Sequence, residues 1–286
     1  MQELLMNLTF IERGVLAGVI IAFICPIVGA FLLVRRVSII SESLSHITLT
    51  GISAGVLVSS TTIWFADVNP LYAGFLFAII GSLLIEKLRD LYKSFQELAI
   101  PIILSAGVGL SAIFMSLSTS GYNEWYMYMF GSIVSVTRGD LQFIIWAAII
   151  VIAIVVLFYK EFISISFDQE YASVSGVSVR LMNQIFAVLI AFVIAMSMKI
   201  VGILLVGAMI VLPVATSIHF AKSFKQVIIY GMVFAQVAML SGIYFSYQFN
   251  IATGGMIVMM GMIQLLLVMA AGKMMEWFVG RKKREY

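Results

Sequence analysis

Asn183-Gln184-Ile185-Phe186-Ala187-Val188-Leu189-Ile190-Ala191-Phe192-Val193-Ile194-Ala195-Met196-Ser197-Met198-Lys199-Ile200-Val201-Gly202-Ile203-Leu204 opens a run that stays apolar to Phe220, and Lys199 is its single charged residue. At about 1.5 Å per residue one helix of that length far exceeds a bilayer. A tight turn near Lys199–Gly202 therefore divides it into two spans. Further apolar runs near the required length of about 20 residues recur from Gly14 to Met275. Nine spans are predicted, at approximately 14–34, 41–60, 69–86, 98–118, 141–159, 183–198, 200–218, 226–247 and 253–272. The fold class is thus an all-α polytopic membrane protein, with residues 1–286 forming a single transmembrane domain. Hydrophobic residues make up 62% of the chain and charged residues 11%, where a soluble domain carries roughly a quarter charged. Pro101 belongs in a first helical turn, whereas Pro26 and Pro213 lie inside spans and should kink them.

Basic residues set the orientation. With the N-terminus outside and the C-terminus cytoplasmic, 14 of the 17 Lys and Arg fall on the inner side. Only Arg13, Arg138 and Lys199 stay outside, and Lys199 should snorkel to the interface. The first thirteen residues lack a basic leader and cleavage site, so no removable signal peptide is expected. Leu4, Leu5, Leu8 and Ile11 have the spacing of a short interfacial helix, with a frayed tail as the alternative. Cys25, the lone cysteine, excludes an internal disulfide or thiolate cluster and suits buried packing. The basic tail Arg281-Lys282-Lys283-Arg284 orients the protein; nucleic acid is not an expected partner, membrane lipid is.

Two segments between spans carry signals of their own. Gly121–Asp140 holds Tyr122, Trp125, Tyr126, Tyr128 and Phe130, an aromatic belt for the outer face with room for a short interfacial helix. Residues 161–182 form the longest internal segment. There Asp168 suits an N-cap, Glu170 a first turn and Gly176 a C-terminal stop, which predicts a short cytoplasmic helix, either a lid or a docking point for a soluble partner.

Glu42 and His46, four residues apart, share one helical face. An ionisable pair inside a membrane is expensive and points to function. Alone, Glu42 could be a capping glutamate and His46 a packed polar residue. Together, with Ser43 and Ser45 close by, they suit a divalent metal: carboxylate oxygen and imidazole nitrogen fit Zn²⁺ or Mn²⁺, not soft copper(I). Two ligands do not complete a tetrahedral shell, so a second copy of the chain, or water, should supply the rest. Protonation of an imidazole ligand competes with metal, so metal binding, and any transport that depends on it, should fall below about pH 6. His219 reads as an interfacial anchor, Asp67 and Glu124 as solvated outer charges, and the 18 methionines as packing.

No Gly-x-x-x-x-Gly-Lys-Ser/Thr and no His-Glu-x-x-His is present, so the chain is not expected to be an enzyme or to hydrolyse ATP itself. Arg35-Arg36 followed by Ser41-Glu42-Ser43-Leu44-Ser45-His46, then Phe130-Gly131-Ser132, Phe167-Asp168-Gln169-Glu170-Tyr171-Ala172 with Gly176, Gly202–Val206, Leu212-Pro213 and Lys222-Ser223-Phe224, occur in order over almost the whole length. In this the chain resembles the permease subunits of bacterial zinc and manganese ABC importers, most like the zinc permeases of Gram-positive bacteria. Glu42 stands where that family usually has aspartate, and Thr50 where many members have proline.

The resemblance implies a type II ABC importer permease in the bacterial plasma membrane. It further implies a homodimer served by two ATP-binding cassette subunits and an extracytoplasmic metal-binding protein. Zn²⁺, or alternatively Mn²⁺, would be cargo held by Glu42 and His46 during alternating access, with no permanently bound cofactor. Asp168, Glu170, Tyr171, Ala172 and Gly176 would meet the ATPase. A gradient-driven secondary metal carrier is the alternative, and an intramembrane enzyme is disfavoured because no nucleophile and base assemble.

Overall fold

The computed structural model describes residues 9–61, 69–118 and 122–282. Expectations for Leu4, Leu5, Leu8, Asp67, Lys283 and Arg284, and for the side chain of Glu124, lie outside what is described. The regular elements of the described residues are all helices, without a strand: α1 Phe10–Val34, α2 Ile39–Thr61, α3 Pro70–Leu91, a 3-10 turn Lys93–Leu98, α4 Ala99–Leu117, α5 Tyr122–Phe130, α6 Arg138–Leu157, α7 Tyr159–Phe167, α8 Gln169–Val174, α9 Val179–Val201, α10 Ile203–Ser217, α11 Phe224–Phe249 and α12 Thr253–Lys282.

Each predicted span falls on a helix. By length and composition, seven of the described helices can cross a membrane. α2 is long enough, but Glu42, His46 and its hydroxyls make it polar. α10, at 15 residues, reaches only about 22 Å at 1.5 Å per residue.

Local chemistry sets the helix ends. Thr9 and Glu12 form a capping box that starts α1 four residues before the apolar run begins. Asn69 caps α3 with Pro70 at the first position, and Thr137 with Asp140 boxes the start of α6. The long apolar run breaks at Gly202, whose φ of 85° ends α9 and begins α10. Gly131, at φ 72°, lies directly against it. A Cβ on Gly131 would sit 2.2 Å from the Ile200 carbonyl oxygen, and one on Gly202 2.5 Å from that of Met129. Both positions need glycine for conformation and for space.

The helices sort into two packed groups. α2, α3 and α4 pack mainly on one another, while α1, α9, α10, α11 and α12 make the larger body, joined by α6. α2 and α4 run parallel in register, because three cross-bonds keep a nearly constant sequence offset: Ser43 Oγ to the Ile100 carbonyl (3.1 Å), Thr50 Oγ1 to the Gly107 carbonyl (2.7 Å), and Ser53 to Ser111 (3.0 Å). Interhelical hydroxyl bonds of this kind hold helices together where apolar contact alone gives no preference over lipid. In the larger body Phe31 of α1 is fully buried. Tyr159, Phe162, Phe186 and Phe224 surround it at centroid distances of 5.0–6.3 Å, within the preferred range for aromatic pairs.

Two expectations are corrected. Lys199 does not snorkel: its ammonium pairs with the buried carboxylate of Asp140. Asp140, 2% exposed, also accepts from Asn69 Nδ2 (3.1 Å) and the Thr137 amide (2.7 Å). This network ties the starts of α3 and α6 to the end of α9. The aromatic segment does contain a helix, α5, but Tyr128 turns inward, 6% exposed, while Tyr126 is exposed.

Candidate functional site

Glu42 lies in the first turn of α2, where the helix dipole favours a carboxylate, and His46 lies one turn further. Their side chains meet as the spacing requires, Glu42 Oε1 being 3.5 Å from His46 Nε2. The Glu42 side chain is 40% exposed and the His46 side chain 15%. Both reach open space from a helix that is otherwise buried along this stretch. Two donors bonded at about 2.1 Å and subtending a tetrahedral angle stand about 3.4 Å apart, so the observed separation already suits a shared cation.

Two glycines absent from the sequence-based site shape it. Gly207 of α10 faces the Glu42 carboxylate, and a Cβ there would lie 2.8 Å from Oε2. The extra methylene of glutamate therefore occupies room that glycine leaves. Gly107 of α4 backs the other residue, with a Cβ position 3.3 Å from the His46 carbonyl oxygen. Their signal in the sequence was only a small residue inside an apolar helix, which does not reveal its neighbour.

The neighbouring serines do not join the pair. Ser43 and Ser45 are fully buried, and their hydroxyls bond the carbonyls of Ile100 and Ser41. Thr50, where proline was the comparison, keeps the helix regular and donates to the carbonyls of His46 (3.0 Å) and Gly107 (2.7 Å). Among the described residues no group of three or more His, Cys, Asp or Glu side chains gathers for a metal. Glu42 and His46 thus present one carboxylate and one imidazole side by side, fewer donors than a tetrahedral shell takes.

The second predicted set lies on α8, at the far end of the bundle from Lys199. Asp168 caps α8, accepting from the Tyr171 amide at 2.9 Å. Gly176 ends the turn with φ 87°, and the Val177 amide returns to the Ala172 carbonyl at 3.0 Å. Asp168, Glu170, Tyr171 and Gly176 are exposed, whereas Ala172 is completely buried and anchors the helix to the bundle. The outward apolar surface comes from Tyr171 (66% exposed) and Val174 (89%). The preceding residues 161–167 belong to α7, so the internal segment is more helical than its composition suggested. His219 is exposed, with Nδ1 3.1 Å from the Ala215 carbonyl oxygen, and stands apart from both sets.

The chain matches the ABC 3 transport family over residues 7–272. It is 30% identical over 268 residues to a probable metal transport system membrane protein of Treponema pallidum, covering 93% of this chain and 97% of that one. It is also 30% identical to the manganese transport system membrane protein MntC of Listeria monocytogenes, over 91% of this chain and 90% of that one. In fold it is similar to a chain of PsaBC from Streptococcus pneumoniae, solved in complex with Fab, with a TM-score of 0.78, 24% identity and 92% of each chain covered. With seven apolar helices of spanning length among the described residues and a family match over nearly its whole length, this chain is a multi-pass membrane permease belonging to the ABC 3 transport family.

Proposed function

We propose that this permease moves a divalent transition-metal cation into the cell, and that Glu42 and His46 hold the cation in passage. The observation that carries this reading is the 3.5 Å carboxylate–imidazole pair at the contact between α2 and α10, on a stretch of α2 that is otherwise buried. One carboxylate and one imidazole suit Zn²⁺. Relatives named as manganese permeases favour Mn²⁺, which accepts the same ligand types.

The Lys199 end is placed outside and the Arg35 end in the cytoplasm, following the basic residues. On this reading α2 and α10 complete nine crossings. A second copy of the chain or water fills the remaining coordination positions. An extracytoplasmic binding protein delivers the ion, and two ATP-binding cassette subunits grip the exposed Tyr171 and Val174 of α8. ATP binding and hydrolysis then alternate the side from which the pair is reached. A passing site should bind less tightly than a structural one, and a shell with only two donors per chain suits release.

The test is ATP-dependent uptake into vesicles carrying the complete transport system, with Zn²⁺ and Mn²⁺ offered separately and in competition. His46→Ala and Glu42→Gln are expected to lower uptake of the preferred ion by at least about tenfold at limiting concentration. Undiminished uptake in His46→Ala would remove the pair from the ion's route. Uptake driven by a proton or sodium gradient without ATP would replace the importer with a secondary carrier.

A further inference from the structure

The turn from α1 into α2 places Arg35 in an unusual position. Its guanidinium is largely out of water and rests over the Phe186 ring, with Cζ 4.3 Å from the centroid. Nε donates to Ser166 Oγ at 3.0 Å and Nη1 to Asn183 Oδ1 at 3.1 Å. These contacts fix it to α7 and α9, on the larger body. Nη2 is buried and has no hydrogen-bond partner among the described residues.

Arg35 borders a cavity of about 40 Å³, room for a few waters, which Ser82, Ile85, Glu86 and Arg89 of α3 also line. Gln169 of α8 also lines it. Burial pulls the Arg35 pKa down to about 10; the charge of Glu86 opposes that shift and the charge of Arg89 adds to it. Arg35 is therefore still a cation at neutral pH, held by two neutral acceptors. Glu86, across the cavity, pairs with Arg89 on its own helix at 2.9 Å. A buried cation with an unused donor, facing a carboxylate already engaged elsewhere, is half of a pair.

We propose that Arg35 and Glu86 form an ion pair across this cavity in a second arrangement of the α2–α3–α4 group, a latch that closes the Arg35 end of the seam between the two helix groups. Glu86 exchanges Arg89 for Arg35, and Arg89, whose side chain is 19% exposed, turns outward to solvent. The exposed Asp90–Arg180 pair, 3.8 Å apart across the same seam, is a looser contact that such a shift can tighten or part. Because α2 is bonded to α4 in register and packs on α3, closing the latch also shifts Glu42 relative to Gly207. Arg35 and Glu86 thereby act as positioning residues for the ion pair, an inference that rests on the alternating-access reading.

Charge exchange tests it. In the complete system Arg35→Glu and Glu86→Arg should each lower ATP-dependent uptake by about tenfold or more, with the combined swap recovering most of the loss. Recovery by exchange separates pairing from a merely structural role. A swap no better than the single variants, or wild-type uptake in Glu86→Gln, overturns the latch. A second arm does not depend on transport. In a Cys25→Ser background, Arg35→Cys with Glu86→Cys should be bridged by a short bifunctional thiol reagent in one nucleotide state of the complex and not in the other. Bridging that is absent from both states, or equal in both, overturns the proposal. Should the wild type show no uptake of Zn²⁺ or Mn²⁺, the importer reading falls, and this bridging result alone decides the latch.

Discussion

The two ends of the bundle both take a cation out of water, and they treat it differently. At one end Lys199 meets Asp140, whose carboxylate also accepts from Asn69 and Thr137. Gly131 and Gly202 press together beside it, and the Ser132 amide donates to the Lys199 carbonyl at 2.9 Å. At the other end Arg35 is paired with no acid among the described residues, its Nη2 is without a partner there, and it borders a cavity. A buried charge with all its partners is costly to disturb, whereas one with partners to spare can change them. The Lys199 end reads as a fixed joint and the Arg35 end as a working one.

That contrast is exposed to measurement. The largest effect should come from Asp140→Ala, which leaves Lys199 buried and unpaired at a cost of about 3–5 kcal/mol. Thermal unfolding of the purified permease should show the loss, and Asp140→Leu with Lys199→Met should recover most of it. A full-stability Asp140→Ala would abolish the distinction. Next, Arg35→Met should change stability by less than about 2 kcal/mol, since relief of burial offsets two lost hydrogen bonds. A drop as large as that of Asp140→Ala would make the two ends alike.

Gly207→Ala should leave the melting temperature nearly unchanged yet reduce uptake several-fold, because its methyl displaces the Glu42 carboxylate from 2.8 Å. Equal uptake would place the ion elsewhere. The smallest effect is expected for Thr50→Ala, about 1 kcal/mol for one bond between α2 and α4, read in the same unfolding assay.

The spans were readable because long apolar runs have few alternatives in a membrane. Gly202 and Asp168 were readable because turn and cap chemistry is local. The Glu42–His46 pair followed from a four-residue spacing alone. The destination of Lys199 was not readable: its acid lies 59 positions earlier in the chain, and only the packing of α6 on α9 brings them together. Ser45, three residues after Glu42, looked like a neighbour of the pair by periodicity. Packing of α4 and α10 around α2 instead sends its hydroxyl back to the Ser41 carbonyl. Ala172 shared a motif with exposed residues, and nothing in its own chemistry told that it alone faces inward.

The three evenly offset bonds between α2 and α4 carry a mechanical consequence. Two parallel rods pinned at three heights cannot roll past each other, so α2 has no freedom to spin Glu42 and His46 from one side of the membrane to the other. Whatever opens and shuts the way to these side chains must carry the coupled rods sideways or tilt them together, and the ion sees moving walls around a pair of ligands that keep their bearing.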